Sequence, residues 1–117
     1  MSFNDAALVV AANAISGVIT HLQLHSAASG PGYTTNLAGT RVSANAFKTV
    51  DADGDIIWTN VPFTGLTANQ TVAEVSYWSA SSGGTNYGGA TRNSGDTTAN
   101  SSGEYTLTSL TETSSAT

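Results

Sequence analysis

The stretch RVSANAFKTVDADGDIIWTNVPF, residues 41–63, sets two apolar runs on either side of an acidic centre. The flanks RVSANAFKTV and DIIWTNVPF read as strands, rich in β-branched and aromatic residues. In the first, Val42, Ala44, Ala46 and Lys48 share one face and Phe47 takes the other; a bulge would shift that phase. Pro62, near the end of the second, marks an edge or a terminus. The centre, DADGD at 51–55, admits two readings. Asp-Gly between apolar runs is a hairpin turn in which Gly54 takes the positive φ. Asp51, Asp53 and Asp55 at alternate positions also resemble a calcium loop. An EF-hand needs oxygen ligands at positions 1, 3 and 5, Gly at 6 and a bidentate Glu at 12. Counted from Asp51, the glycine falls at position 4, Ile56 at 6 and Pro62 at 12. The turn is therefore the reading, and no metal or other cofactor is expected. A calcium site of another geometry stays open, because three close carboxylates repel and a cation relieves that.

Upstream, MSFNDAALVVAANAISGVI reads as one helix, about 4–17. Ser2 with Asp5 fits a capping box, and Asn4 is the alternative cap. Leu8, Ala11, Ala12, Ile15 and Ile19 fall on one face, and Gly17 is a natural stop. The period then changes. In ITHLQLHS, Leu22 and Leu24 point one way and His21, Gln23 and His25 the other, a half-buried strand. ASGPGYTTNLAG is a loop.

Downstream, TGLTANQ is a turn. TVAEVSYWS is the strongest strand, with Val75 and Tyr77 on one face and Glu74 and Trp78 on the other. SASSGGTN connects it to YGGATR, a short strand, and NSGDTTANSSG is a long polar loop. In EYTLTSL, Tyr105, Leu107 and Ser109 alternate with Thr106, Thr108 and Leu110. About six short strands with turns between them predict an all-β chain: a small antiparallel β-sandwich or open barrel with one N-terminal α-helix. A single domain is expected over 1–117, its β-part about 18–110 and a polar tail at 111–117.

Charged residues make up 9% of the chain and the net charge is −5, against roughly a quarter charged in ordinary domains. Arg41, Lys48 and Arg92 are the only Lys and Arg residues and form no cluster. Nucleic-acid and anionic-membrane partners are not expected from so few cations. Without cysteine there is neither a disulfide framework nor thiolate chemistry. The apolar stretch at the N-terminus lacks a basic flank, so it is not read as a signal peptide. It is also shorter than the about 20 residues a bilayer needs.

His21 and His25 would share a helix face, but on a strand they stand about 13 Å apart and cannot chelate one ion. Ser, His and Asp all occur, yet no G-x-S-x-G elbow and no phosphate loop is present, and no enzyme is expected. Trp58, Tyr77, Trp78 and Tyr87 are either core and subunit contacts or a sugar platform. The sequons at Asn69 and Asn100 matter only in a eukaryotic secretory setting.

Three stretches carry a resemblance. NDAALVVAANAISGVI leads into THLQLHSA, and TANQTVAEVSYWSASSGGTNYGGA follows a variable hairpin. Together they resemble a family of small virion proteins of tailed actinobacteriophages, described as minor tail or tail-fibre proteins. The likeness covers most of residues 4–92 and rests on Leu24-His25-Ser26-Ala27 and on Tyr77-Trp78. It departs at AASGPG, where the family often has Asp-Pro-Gly, and after Arg92. The resemblance implies a non-enzymatic structural role in the phage particle, the chain being made in the bacterial cytoplasm. Its implied partners are further copies of itself, a trimer being one form, and other virion proteins of the tail or the major capsid. A head decoration protein and a host-glycan binding module using Trp58, Tyr77 or Trp78 are the other readings. The resemblance also places 51–55 in a hairpin that varies among relatives, as a turn tolerates.

Overall fold

The computed structural model describes residues 4–91 and 96–113 of the 117. Its elements are α1 (Asp5–Val18), β1 (His21–His25), β2 (Leu37–Ser43), a short 3-10 turn (Asn45–Phe47), β3 (Lys48–Val50), β4 (Ile56–Phe63), β5 (Glu74–Trp78), β6 (Asn86–Thr91) and β7 (Tyr105–Glu112). Two antiparallel sheets form, in the orders β2-β1-β5-β6 and β3-β4-β7. They face each other as a small β-sandwich and do not close into a barrel, so the sheet edges persist.

The chain changes sheet inside RVSANAFKTV. What reads as one strand is two, β2 in the first sheet and β3 in the second, joined by the turn at Asn45–Phe47. Ala44 is buried at the corner, where its N–H bonds to Thr20 O at 3.0 Å. The expected common face of Val42, Ala44, Ala46 and Lys48 therefore does not exist. Lys48 instead donates to the carbonyls of Ser16 and, at 2.7 Å, Ile19. That puts a cation on the free carbonyls at the end of α1, where the helix dipole is negative. Burial lowers the pKa of Lys48.

The helix begins at Asn4, whose Oδ1 accepts the Ala7 N–H at 3.0 Å. Ser2 lies outside the described residues. The helix continues through Gly17 to Val18 before the chain extends at Ile19. Ala12, Ser16 and Ile19 are buried and Leu8 is half-buried, one stripe at helical spacing. Ala11 and Ile15, expected on that stripe, are exposed. The cause is tertiary: α1 is apolar nearly all round, and the surface that seats it chooses the buried side. Part of that seat is Gly54, at the tip of the turn between β3 and β4.

Between the sheets, Leu22, Leu24, Val75 and Tyr77 meet Ile56, Trp58, Val61, Phe63, Leu107 and Leu110, all buried. The rings of Trp58 and Tyr77, one from each sheet, stack at 5.1 Å and 18°. The inward phase of β4 flips midway, from Ile56 and Trp58 to Val61 and Phe63. Asn60 sits at the flip with φ 52°, a left-handed conformation that Asn tolerates better than most residues. β7 flips with it: Tyr105, Leu107 and Leu110 are buried, so Leu110 takes the inward place expected for Ser109. β7 also reaches Glu112, so the expected tail starts later than 111; residues 114–117 lie outside the description.

Candidate functional site

The acidic turn at 51–55 is a five-residue hairpin loop between β3 and β4. Asp51 N–H bonds to Asp55 O at 3.0 Å, and Asp51 Oδ1 accepts the N–H groups of Asp53 at 2.9 Å and Asp55 at 3.0 Å. Gly54 has φ +83°, as the turn reading requires. The turn also seats a neighbour: a Cβ at Gly54 would stand 2.7 Å from Leu8 C and 2.8 Å from Leu8 Cβ. Asp51, Asp53 and Asp55 each bring one carboxylate oxygen within 4.8 Å of the others. They thus cluster as the sequence suggests, with Asp53 exposed and the other two half-buried. The two N–H bonds on Asp51 Oδ1 give the carboxylate an organising role in the turn that needs no ion.

The histidines part company. His21 is half-buried and meets Thr20 Oγ1 at 2.8 Å. His25, fully buried, bonds through Nδ1 to Thr35 O at 2.9 Å and through Nε2 to Ser76 Oγ at 2.7 Å. A carbonyl only accepts, so its partners assign the proton to Nδ1, and the Ser76 hydroxyl donates to Nε2. Ser76 Oγ also accepts Trp78 Nε1–H at 2.7 Å. A serine within hydrogen-bond reach of a histidine is the core of nucleophilic chemistry. Here Ser76 and His25 are both 0% exposed, so no substrate carbonyl can reach the hydroxyl, and the group acts as a satisfied polar core. With so many serines in the sequence, co-occurrence with histidine could not have picked out Ser76. The usable signal was its place two residues from Trp78 in the strongest strand.

This polar core lies on the outer side of the first sheet, beneath the loop at 26–36. Glu74 Oε1 accepts the N–H of Ser29 at 3.0 Å, and the Tyr33 ring stands 5.6 Å from that of His25. Gly89 permits the cover: a Cβ there would meet the Tyr33 ring at 2.7 Å. Trp78, on the face opposite Val75 and Tyr77 as expected, is buried. Its ring is covered by the Arg41 guanidinium at 3.7 Å, which donates to Ala80 O at 3.0 Å and Gly83 O at 2.7 Å. Beside it runs an open groove of about 350 Å³ bordered by Tyr33, Leu37, Arg41 and Gly83. A second, of about 570 Å³, runs past Phe63, Asn69, Asp96 and Glu104.

Trp58, Tyr77 and Trp78 are 0%, 3% and 8% exposed. The glycan reading required an exposed face on one of them, and the sandwich leaves none. Tyr77 donates its hydroxyl to Glu112 Oε2 at 2.8 Å, and burial together with that carboxylate raises its pKa. Tyr87 alone of the four remains exposed.

Comparison of the chain with protein-family models, with curated proteins and with solved structures finds no match.

Proposed function

We propose that this chain is a non-enzymatic structural component of a tailed-phage virion, of the minor tail or tail-fibre type, acting by self-association and by docking on other virion proteins. The observation that carries the reading is the surface. It is sparsely charged, and it leaves Val10, Ile15 and Val18 of α1 exposed. Isolated apolar residues on a surface are ordinary, whereas a contiguous patch marks a contact. β7 is an eight-residue edge strand with Glu112 as its only charge, without the lysines, prolines or bulges that usually guard such edges. Few like charges oppose the packing of identical copies. The likeness of NDAALVVAANAISGVI, THLQLHSA and the Tyr77-Trp78 segment to small phage tail proteins supplies the particle.

The test is reconstruction of the purified particle from the phage that encodes the chain, with immunogold labelling. Density for the β-sandwich at the tail is expected. Density on the shell would replace the tail assignment with head decoration, and absence from washed particles would overturn the virion reading.

A further inference from the structure

The open groove of about 350 Å³ beside Trp78 lies on the outer face of the first sheet. A slip in register builds its floor. Leu22 of β1 pairs with Val42 and Leu24 with Ala38, so Gln23 alone stands opposite Gly39, Thr40 and Arg41 of β2. Gly39 takes φ +70° at this bulge. Bulges re-aim side chains and are common beside binding sites. Here Gln23 Nε2 donates to Leu24 O at 2.9 Å, Ala38 O at 3.3 Å and Gly39 O at 3.1 Å. Three carbonyls around one end of the amide fix that end as nitrogen. Gln23 is 4% exposed, and its Oε1 accepts from no donor among the described residues. A buried acceptor needs a donor, and what enters the groove must bring it.

Arg41 has the opposite capacity. Its guanidinium lies over the Trp78 ring, and Nη1 donates to Ala80 O and Gly83 O. Those contacts hold the plane of the group. Nε and Nη2 donate to none of the described residues, although a guanidinium offers donors on all its nitrogens. A fixed acceptor and a fixed donor therefore border the same groove. Its rim is hydroxyl: Thr34, Thr40, Ser81 and Ser82 are exposed there. Half-buried Tyr33 and Leu37, which is 53% exposed, add an apolar side.

This pattern selects a ligand by elimination. An anion would meet Arg41 but press its charge on the bare Gln23 Oε1. A cation would meet Gln23 but oppose Arg41. A neutral group with a donor and an acceptor on neighbouring atoms satisfies both. A vicinal diol is such a group: one hydroxyl donates to Gln23 Oε1 while the next accepts from Arg41. A sugar ring also brings hydroxyls for the rim and C–H groups for Tyr33 and Leu37, whereas a lone amide has nothing left for the rim. The volume falls at the small end of the about 300–1,000 Å³ of small-molecule sites, room for a short saccharide. We propose that this groove binds a neutral saccharide through vicinal hydroxyls held between Gln23 Oε1 and the Arg41 guanidinium. It needs no open tryptophan face, because Trp78 serves only as the backing of Arg41. The inference goes beyond the virion reading and does not rest on it.

The test is a nuclear magnetic resonance titration of the isotope-labelled full chain with the methyl glycosides of glucose, galactose, mannose and rhamnose, one at a time. A methyl hexoside has about 13 non-hydrogen atoms, and ordinary binding per atom places Kd at ~1 mM. Each titration therefore runs to ~20 mM. Saturable shifts of the Gln23 side-chain amide and the Arg41 Nε–H are expected with at least one glycoside. Arg41→Met keeps an apolar stem on Trp78 and removes the donors, so it should weaken that binding at least about tenfold, with the melting temperature reporting the fold. The wild-type shifts decide the site even where the variant fails to fold. Binding unchanged in a folded Arg41→Met would remove Arg41 from the site. No saturable shift at Gln23 and Arg41 with any glycoside would leave the floor to water and overturn the proposal. Stronger shifts of the same groups by N-methylacetamide would make the ligand an amide, as in a peptide, and by sodium acetate an anion; either would overturn the saccharide. Sugar binding by a chain absent from washed particles would leave the groove standing and remove the virion. A particle-borne chain that binds none of the glycosides would remove the groove alone.

Discussion

Replacing Gly54 by alanine tests whether the acidic turn is a seat for the helix. Two costs arise at one position. Alanine must adopt φ +83°, at about 1–2 kcal/mol for a left-handed L-residue. Its methyl would also stand 2.7–2.8 Å from the backbone and Cβ of Leu8, which no rotamer change relieves. Forcing a methyl into a packed contact costs about 1–3 kcal/mol. The total, about 2–5 kcal/mol, is a large part of a domain stability of about 5–15 kcal/mol. Gly65→Ala is the control: φ is +76° and nothing lies within 4 Å of its Cβ. It carries the backbone cost alone, and both variants stiffen the unfolded chain alike. Urea midpoints with an unchanged m-value give both numbers. Gly54→Ala should exceed Gly65→Ala by about 1–3 kcal/mol. Agreement of the two within about 0.5 kcal/mol would refute the seating of the turn on Leu8.

Ser76→Ala strips the partner from both His25 Nε2 and Trp78 Nε1; urea unfolding should register a loss of about 2–6 kcal/mol for two orphaned buried groups, and a loss near zero would mean that the hydroxyl satisfies neither. Trp58 Nε1 has no hydrogen-bond partner among the described residues, so Trp58→Phe removes a buried donor that already costs about 1–3 kcal/mol. It should therefore destabilise far less than the about 3–5 kcal/mol of truncation to alanine, and equal losses would show that the indole N–H is satisfied. Tyr77 has its pKa raised by burial and by Glu112. Its contribution is thus fully present below the ordinary tyrosine value of about 10 and fades as pH climbs above it. Stability measured against pH should fall above about pH 10 more steeply in the wild type than in Tyr77→Phe; parallel curves would exclude Tyr77 as a source. Millimolar calcium should leave the melting temperature unchanged, because Asp51 is already committed to the turn's amides. Binding at a hundredfold excess over Kd would add about 2.7 kcal/mol, so a clear rise abolished by Asp53→Asn would establish a metal site at the turn.

The strand HLQLH was legible because its period is two throughout and its apolar residues all face the other sheet. The turn at DADGD was legible because Asp-Gly needs only local chemistry. Three features were not, each for a reason outside the local chain. The break between β2 and β3 falls in RVSANAFKTV without glycine or proline, and only the demand for a second sheet produces it. The phase flip in β4 hangs on Asn60, a residue that permits a left-handed turn without requiring one. The buried side of α1 was ambiguous because the helix is apolar nearly all round, with Val10 and Val18 on sides away from Leu8. For the site, the sequence brought Asp51, Asp53 and Asp55 together but could not join His25 to Ser76, which are 51 residues apart and meet only through the pairing of β1 with β5.

The two described cations bear on the proposed self-association. Arg41 Nη1 is spent on the carbonyls of Ala80 and Gly83, and Lys48 on those of Ser16 and Ile19. Each closes a loop or a helix end, so neither is directed at a partner chain. The sheet face that a two-layer sandwich would ordinarily give to water is instead roofed by the loop at 26–36, with His25, Ser76 and Gln23 buried beneath it. Polar groups have been taken inside, while Val10, Ile15 and Val18 of α1 face out. Hydrogen-bonded polar groups gain little by burial, whereas an exposed Val or Ile forgoes the about 1.5–3 kcal/mol that full burial would bring. A neighbouring copy laid on α1 would supply that cover. Val10→Glu then distinguishes the cases without a particle: in a true monomer it exchanges an exposed apolar group for a soluble one at no cost to stability. In an assembling chain it should leave the unfolding midpoint of dilute protein unchanged and abolish only the stabilisation gained on concentration.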